Sequence, residues 1–131
     1  MNREDIAEKM RQSVADKDKE LILKCFEDLR YSSIYFYHLE LDLKAKYEDL
    51  EYKNEIFNFF YLRFKGNTLR VTVDQELYRI YVTKESRRGT QRLDEIAAID
   101  GKLICDQGEF YLNQVNVYLS DCYAKLLSAN I

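Results

Sequence analysis

The chain has 131 residues, of which 47% are hydrophobic and 33% charged, and its formal net charge is −3. This length is typical of one domain with its own hydrophobic core, so we expect a single domain over residues 1–131. The composition excludes a disordered chain, and the acidic balance disfavours a general nucleic-acid binder, with contacts from a local basic patch left open.

The cysteines and the N-terminal residues predict a cytoplasmic location. Cys25, Cys105 and Cys122 are odd in number and lack a CxxC spacing, which is typical of reduced thiols. Met1 to Ser13 is charged and helical in character rather than an apolar secretion signal. No apolar run reaches the roughly 20 residues of a membrane-spanning helix, so no membrane partner is expected.

Two helices are predicted at the start of the chain. Asn2 can cap the first helix, whose narrow apolar stripe is formed by Ile6, Met10 and Val14. A second helix can start at Asp16 or Asp18. Its spacing of apolar residues indicates one packed face, formed by Ile22, Cys25, Phe26 and Leu29.

Residues 35–47 alternate between apolar and polar, which is the pattern of a half-buried strand. A helix is the rival interpretation, because Glu40 and Lys44 have the favourable acid-to-base spacing and β-branched residues are lacking. On a helix, however, Leu39 and Leu41 would lie about 200° apart, so one of them would face water. We therefore predict a strand.

Gly66 and Asn67 form a two-residue loop between two apolar runs, which predicts a β-hairpin. With these residues as the loop, Phe64 lies opposite Leu69. One face of the hairpin is then wholly apolar and is formed by Phe60, Leu62, Phe64, Leu69, Val71 and Val73.

The remaining strands follow from the same alternation. We predict a polar connection over residues 48–54 and strands over residues 56–65, 68–73 and 77–84. A loop at Gln75-Glu76 continues the apolar face to Ile80, whereas a three-residue loop would invert it.

The opposite face of these strands is rich in arginine and tyrosine. In the predicted registers Arg70 lies opposite both Arg63 and Tyr81. Like charges across strands are destabilising, so acidic groups should compensate for them. The acid can come from the chain itself, and a covering helix could equally account for the face. The alternative is an external acidic surface or a phosphate-bearing ligand. The candidate binding residues of this face are Tyr61, Arg63, Arg70, Arg79 and Tyr81.

Residues 86–92 form the most basic and most loop-like segment. Gly89 allows close backbone approach, so Arg87, Arg88 and Arg92 can form either a solvated loop or an anion-contacting loop.

The C-terminal part contains short elements and one helix. Residues 93–99 form either a short helix or one arm of a hairpin that turns at Asp100-Gly101, and residues 103–105 can form an edge strand. Asp106 and Glu109 have the spacing of a capping box that opens the last helix. The apolar seam of this helix packs on the sheet or forms a homodimer, and consists of Leu112, Val115, Leu119, Cys122 and Leu126.

No catalytic template fits the sequence. The single histidine, His38, lies among charges on a polar face, and Cys25 and Cys122 lie on apolar helix faces. Neither zinc-ligand spacing nor a phosphate-binding glycine motif is present. We predict no catalytic residue, no metal and no cofactor.

The predicted fold class is α+β: an antiparallel sheet of about four strands, two N-terminal helices and a C-terminal amphipathic helix packing on the sheet. The first functional hypothesis is a non-enzymatic protein-binding module of inhibitor, immunity or chaperone type, which binds another protein through the arginine- and tyrosine-rich sheet face. The second is a small-ligand domain or enzyme for an aromatic or phosphorylated, nucleotide-like molecule.

Overall fold

The computed structural model describes residues 1–43, 50–55 and 58–128. Its strands form one antiparallel sheet in sequence order, β1 to β7. The α+β class is confirmed, but the described residues form seven strands rather than about four. The elements are α1 Arg3–Ser32, α2 Ile34–Leu43, β1 Leu50–Glu55, β2 Phe59–Phe64, β3 Asn67–Asp74, β4 Arg79–Ser86, β5 Gly89–Ile99, β6 Lys102–Cys105, β7 Gly108–Glu109 and α3 Gln114–Ser128.

Helix α1 is continuous, so the predicted restart at Asp16 or Asp18 is wrong. Asn2 caps the helix as expected, because its Oδ1 accepts a hydrogen bond from the Asp5 amide at 2.9 Å. The Asp18 carboxylate does not cap a helix. Instead it accepts a hydrogen bond at 3.1 Å from the amide of Gly101, in the turn between β5 and β6. The predicted buried face is confirmed at Ile22, Cys25, Phe26 and Leu29.

The first half of α1 has a different environment from the second. Residues 3–17 are all exposed, and the predicted apolar stripe lies in water, with Ile6 41%, Met10 64% and Val14 53% exposed. Only the second half of the helix is anchored to the rest of the structure.

The predicted strand over residues 35–47 is wrong, because residues 34–43 form helix α2; residues 44–47 lie outside the described part. As predicted for a helix, one of the two leucines faces water: Leu41 is 55% exposed, while Leu39 packs against the core. Helix α2 is held by contacts that the local pattern does not reveal. Phe36 packs against the core, and a Glu40 carboxylate oxygen accepts a hydrogen bond from the Tyr52 amide at 2.7 Å.

Strand β1 occupies most of the predicted polar connection, and this prediction is also wrong. Only Leu50 and Tyr52 turn towards the core, where both are buried. The strand is an edge strand whose other side chains are polar, so its sequence has little of the usual apolar alternation.

The β2–β3 hairpin turns at Lys65-Gly66 rather than at Gly66-Asn67. Phe64 pairs with Asn67 and Leu62 with Leu69. Both turn residues have positive φ angles, 49° at Lys65 and 86° at Gly66, as a type I′ turn requires. The partners therefore differ by two residues from the prediction, and the faces do not change.

In the β3–β4 hairpin, too, the strand partners differ from the prediction while the two faces are as predicted. Asp74 Oδ1 accepts hydrogen bonds from the Glu76 and Leu77 amides at 2.9 and 3.0 Å, which folds residues 75–78 into a four-residue loop. The predicted start of the strand at Leu77 is therefore wrong. Because the loop has an even number of residues, Val73 still lies on the core face, now opposite Ile80.

The C-terminal elements correct two more predictions. Residues 93–99 belong to β5, and the turn at Asp100-Gly101 confirms the hairpin alternative. Residues 103–105 belong to β6, which pairs with β5 on one side and β7 on the other. The edge strand on that side is therefore β7 and not the predicted residues 103–105. Asp106 does not open the last helix: its amide donates to Asp94 and its carboxylate accepts from Arg92, so α3 starts only at Gln114.

The three helices share one apolar cluster with a single face of the sheet. In the α3 seam Cys122 is buried, Val115, Leu119 and Leu126 are partly buried, and Leu112 lies before the helix and is 44% exposed. The α3 seam thus packs on the sheet, as the intramolecular alternative predicts. The homodimer through this helix stays a prediction.

Two tyrosines of α3 fasten this helix to the sheet. The Tyr118 hydroxyl donates to the carboxylate of Asp94, and the side chains of both residues are at most 1% exposed. The Tyr123 hydroxyl donates to the Leu62 carbonyl and accepts from the Leu69 amide at 3.2 Å. Buried polar groups are costly without partners, so these bonds fix the position of α3.

We expect Lys65→Asn to stabilise the protein by about 0.5–1 kcal/mol, because Asn adopts positive φ more readily than Lys. The measurement is the free energy of unfolding in urea. As a control, Lys53→Asn replaces an exposed lysine within β1 and should leave stability unchanged or lower it, since Asn is disfavoured in strands. Equal effects of the two substitutions would contradict the turn assignment.

We expect Tyr118→Phe to lower the free energy of unfolding by about 1–3 kcal/mol, because it leaves a buried carboxylate with one donor fewer. Tyr111→Phe is the matched control: it removes a phenol oxygen that is bonded to Glu109 on a side chain 62% exposed, and its effect should be within about 0.5 kcal/mol. A loss at Tyr118 no larger than at Tyr111 would refute the anchoring role.

Candidate functional site

The sheet face opposite the helices carries most of the predicted binding residues. We call it the arginine–tyrosine face, and define it by Tyr61, Arg63, Arg70, Arg79, Tyr81 and Arg92, with Phe59 and the acidic partners Glu51, Glu85 and Glu95. All buried residues of α1 and α3 belong to the apolar cluster on the other side, and the partly buried Phe36 and Leu39 of α2 pack against that cluster. In the described part of the chain no helix therefore covers this face.

An ordered layer of rings and guanidinium groups lies at its centre. The rings of Phe59 and Tyr61 are 6.2 Å apart and nearly parallel, at 8°. The guanidinium carbon of Arg70 lies 4.9 Å from the Tyr61 ring centre and 5.6 Å from that of Phe59, and the guanidinium carbon of Arg63 lies 5.4 Å from the Tyr61 ring centre. These are cation–π distances.

Tyr61 is only 8% exposed although it is not part of the apolar cluster. Its own face buries it. The Tyr61 hydroxyl donates to Glu51 at 2.5 Å, and this bond raises the pKa of Tyr61, with a further increase from burial. Tyr61 thus supports the layer from beneath, and the accessible groups are the arginines.

Each of the three predicted sheet arginines is paired with a glutamate of the chain. Arg63 lies 3.2 Å from Glu51, Arg70 2.8 Å from Glu85 and Arg79 3.4 Å from Glu95. The compensating acid that the like charges require comes from the chain itself.

The predicted juxtaposition of Arg63 and Arg70 is wrong. Arg70 lies opposite Tyr61 and Thr83, and Arg63 lies opposite Thr68. The β2–β3 register differs by two residues from the prediction, which separates the two like charges along the sheet and removes the direct cross-strand repulsion.

Arg92 joins the arginine–tyrosine face and leaves the predicted loop. A β-bulge between the Val82 and Thr83 pairs leaves Leu93 without a partner, so that Arg92 lies opposite Thr83. Its guanidinium contacts Asp106 at 2.5 Å and Glu95 at 3.4 Å. The hydrogen bond to Asp106 raises the pKa of Arg92.

Arg87 and Arg88 form the tight turn between Ser86 and Gly89, at one end of the sheet. They line a cavity of about 460 Å³ together with residues of α3. The predicted grouping of Arg87, Arg88 and Arg92 is therefore wrong: Gly89 starts a strand, and Arg92 lies on that strand among other partners.

Sequence reasoning missed several residues of this face. Phe59 lies two residues before Tyr61 on β2, so strand alternation could have placed it there. Glu51 lies in β1, where the sequence predicts a polar connection, and no local pattern indicates its role. Glu85 and Glu95 required the correct cross-strand register.

The described residues contain no cluster of three or more potential metal ligands. His38 is exposed on α2. All three cysteines are free and buried. Burial is the main cause that raises the pKa of Cys25 to about 12 and of Cys122 to about 11, and it also raises the pKa of Cys105. These thiols are poor nucleophiles.

An apolar cavity of about 440 Å³ lies between α2, α3 and the first two strands. Phe36 and Leu39 line it from α2, and Leu119 and Leu127 from α3. It contains almost no polar group that could orient a ligand.

No described helix is both long enough and apolar enough to cross a membrane. No protein-family model matches the chain, and no curated protein or solved structure shows significant similarity to it.

We expect the free energy of unfolding to fall as the pH rises from 9.0, the ordinary thiol pKa, to about 12. The folded-state pKa values of Cys25 and Cys122 are raised, so protons are held more tightly in the folded state. The stabilisation is then complete below the unfolded pKa and is lost through the folded pKa. Urea titrations over this pH range measure the slope.

The double variant Cys25→Ala/Cys122→Ala should have a shallower slope over the same range. The slope should not vanish, because burial also raises the pKa of Tyr118 and Tyr123. An unchanged slope in the double variant would rule out the contribution of the thiols.

Proposed function

We propose that the chain is a non-enzymatic protein-binding module, of inhibitor, immunity or chaperone type, that binds another protein through the arginine–tyrosine face. The observation that carries this proposal is the ring and guanidinium layer on a sheet face that no described helix covers. Tyrosine and arginine are the residue types enriched at protein-binding hot spots.

The order already present in the layer favours binding. Arg70 is held by Glu85 at 2.8 Å and by two rings, and Arg63 by Glu51 and one ring. Side chains that are fixed before association lose less conformational entropy when a partner binds. Arg63 and Arg79 keep about 45% of their side-chain surface accessible, so they remain available for contact.

The charge pattern favours a partner with both signs of charge. Arginines and glutamates alternate on this face, from the Arg63–Glu51 pair to the Arg79–Glu95 pair. A protein surface can match such a pattern with complementary charges, which provides specificity.

A small phosphorylated ligand on this face has less support. Each guanidinium of Arg63, Arg70 and Arg79 already faces a carboxylate, so a phosphate would have to displace it. Small-ligand sites are concave, and the cavities of about 440 and 460 Å³ are both lined by residues outside this face.

We propose a cytoplasmic location as part of this function. The free state of Cys25, Cys105 and Cys122 supports a reducing compartment.

The test is quantitative capture of proteins from lysate of cells that express the chain, with the wild type and two double variants as bait. In Arg63→Ala/Arg70→Ala we expect the capture of the partner to fall by about tenfold or more, because hot-spot truncations cost at least that much. Capture by Arg3→Ala/Arg11→Ala should not change. These control arginines lie on the exposed half of α1. Both variants lose two arginines, so the change in net charge is the same.

Thermal unfolding of both variants checks that they are folded. We expect both to be folded, because exposed ion pairs contribute at most about 1 kcal/mol each to the free energy of unfolding. If the Arg63→Ala/Arg70→Ala variant folds and captures every protein as the wild type does, the proposed function is wrong.

A further inference from the structure

A basic cavity of about 460 Å³ lies where the β2–β3 turn, the β4–β5 turn and α3 meet. Four cationic side chains from these three places and one from the end of β4 line it, and no carboxylate does. We call it the basic cavity and define it by Lys65, Lys84, Arg87, Arg88 and Lys125.

The charges of the basic cavity are not compensated by the described part of the chain. None of its five cationic groups lies within 4.0 Å of a described carboxylate, whereas Arg63, Arg70, Arg79 and Arg92 all have such a partner. Asp121 lies one helical turn before Lys125 and lines a neighbouring cavity, but it makes no ion pair with Lys125. A protein with a net charge of −3 thus gathers five cations in one place.

Hydrogen bonds hold Lys84 and the backbone of the turn of Arg87 and Arg88 in position. Lys84 donates from Nζ to the Asp121 carbonyl at 3.0 Å. The turn that carries Arg87 and Arg88 is closed by the Ser86–Gly89 pair, and the Arg88 amide donates to the Ser86 hydroxyl. Gathering like charges costs free energy, which a bound anion would offset.

The lining indicates which anion fits. Arginine binds phosphate in a bidentate manner and lysine acts as a point charge, and the basic cavity offers both. No aromatic ring lines it, so a nucleobase would find no stacking surface. Its volume is that of a small-molecule site.

We propose that the basic cavity binds a compact anion with two or more phosphate groups, recognised through the phosphates alone. One phosphate dianion would leave most of the five cationic charges unbalanced, whereas a polyphosphate balances them. Such a group can belong to a soluble molecule or to a phosphorylated lipid headgroup, and the shared chemistry is the phosphate cluster. This site is separate from the arginine–tyrosine face.

The test is calorimetric titration of the full chain with inorganic tripolyphosphate at about 0.15 M ionic strength, with orthophosphate as the comparison. We expect one saturable site for tripolyphosphate. The affinity for orthophosphate should be at least about tenfold weaker. The absence of saturable binding, or equal affinity for the two anions, would overturn the proposal.

The key variant is Arg87→Gln/Arg88→Gln, which changes two exposed turn side chains. We expect its dissociation constant for tripolyphosphate to rise by about tenfold or more. The control Arg3→Gln/Arg11→Gln removes the same charge from the exposed half of α1 and should change the constant by less than about twofold. Equal weakening in both variants would mean general attraction rather than a site, and would overturn the proposal.

Circular dichroism checks the folding of each variant. If Arg87→Gln/Arg88→Gln does not fold, Lys125→Gln, an exposed α3 side chain, carries the same test, and an unchanged affinity in that variant overturns the proposal.

Two further arms identify the source of the phosphates. Binding to phosphatidylcholine vesicles only when they contain phosphatidylinositol bisphosphate, and its loss in Arg87→Gln/Arg88→Gln, supports a lipid headgroup. Tripolyphosphate binding without vesicle binding supports a soluble ligand. A single-stranded oligonucleotide that binds more tightly than tripolyphosphate would overturn the proposal in favour of nucleic acid.

Discussion

Alternation of side chains across β2, β3 and β4 is the constraint on which both faces of the sheet depend. The two connections contain two and four residues, and an even number keeps the apolar series on one side. A single added residue in either loop would turn Arg70 or Arg79 towards the core and apolar residues towards water. Burying an unpaired guanidinium costs several kcal/mol, about the size of a large part of the stability of a small domain. The turn residues Lys65 and Asp74 therefore determine where the arginines lie as much as the arginine positions do.

The β-bulge in β5 adds one residue to the strand, and this odd number changes the face on which the neighbouring side chains lie. One extra residue at Leu93 moves Arg92 to the polar face while Leu93 packs against the core. The neighbouring Asp94 is left on the buried side, where it bonds to the Tyr118 hydroxyl and the Asp106 amide. The single irregularity in this pairing thus extends the ion pairs of one face and creates the polar anchor of α3 on the other. The arginines of β2 to β5 and of the β4–β5 turn fall into two groups with different chemistry: Arg63, Arg70, Arg79 and Arg92 are balanced by carboxylates, whereas Arg87 and Arg88 have no described carboxylate within 4.0 Å.

The parts of this structure that could be predicted are those that depend on local periodicity. The apolar face from Phe60 to Val73 needed only alternation, and the Asn2 cap needed only residue type. The exact strand partners required knowing that Lys65 would adopt a positive φ angle, which its residue type disfavours. The α2 helix was missed because its contacts, such as Glu40 with the Tyr52 amide, come from residues distant in sequence. For the same reason Arg63, Arg70 and Arg79 were found as candidates while Glu51, Lys84 and Lys125 were not.

The exposed first half of α1 has a consequence for how the protein fluctuates. Residues 3–17 have no buried side chain, and a helix of this length is only marginally stable alone in water. Its helical state is propagated from the anchored turns around Phe26, which serve as the nucleus. The amides of this half should exchange with solvent through local fraying rather than through global unfolding, in a graded series that slows towards Ile22. The chain thus combines a cooperatively folded sheet with a helical arm whose length varies with temperature.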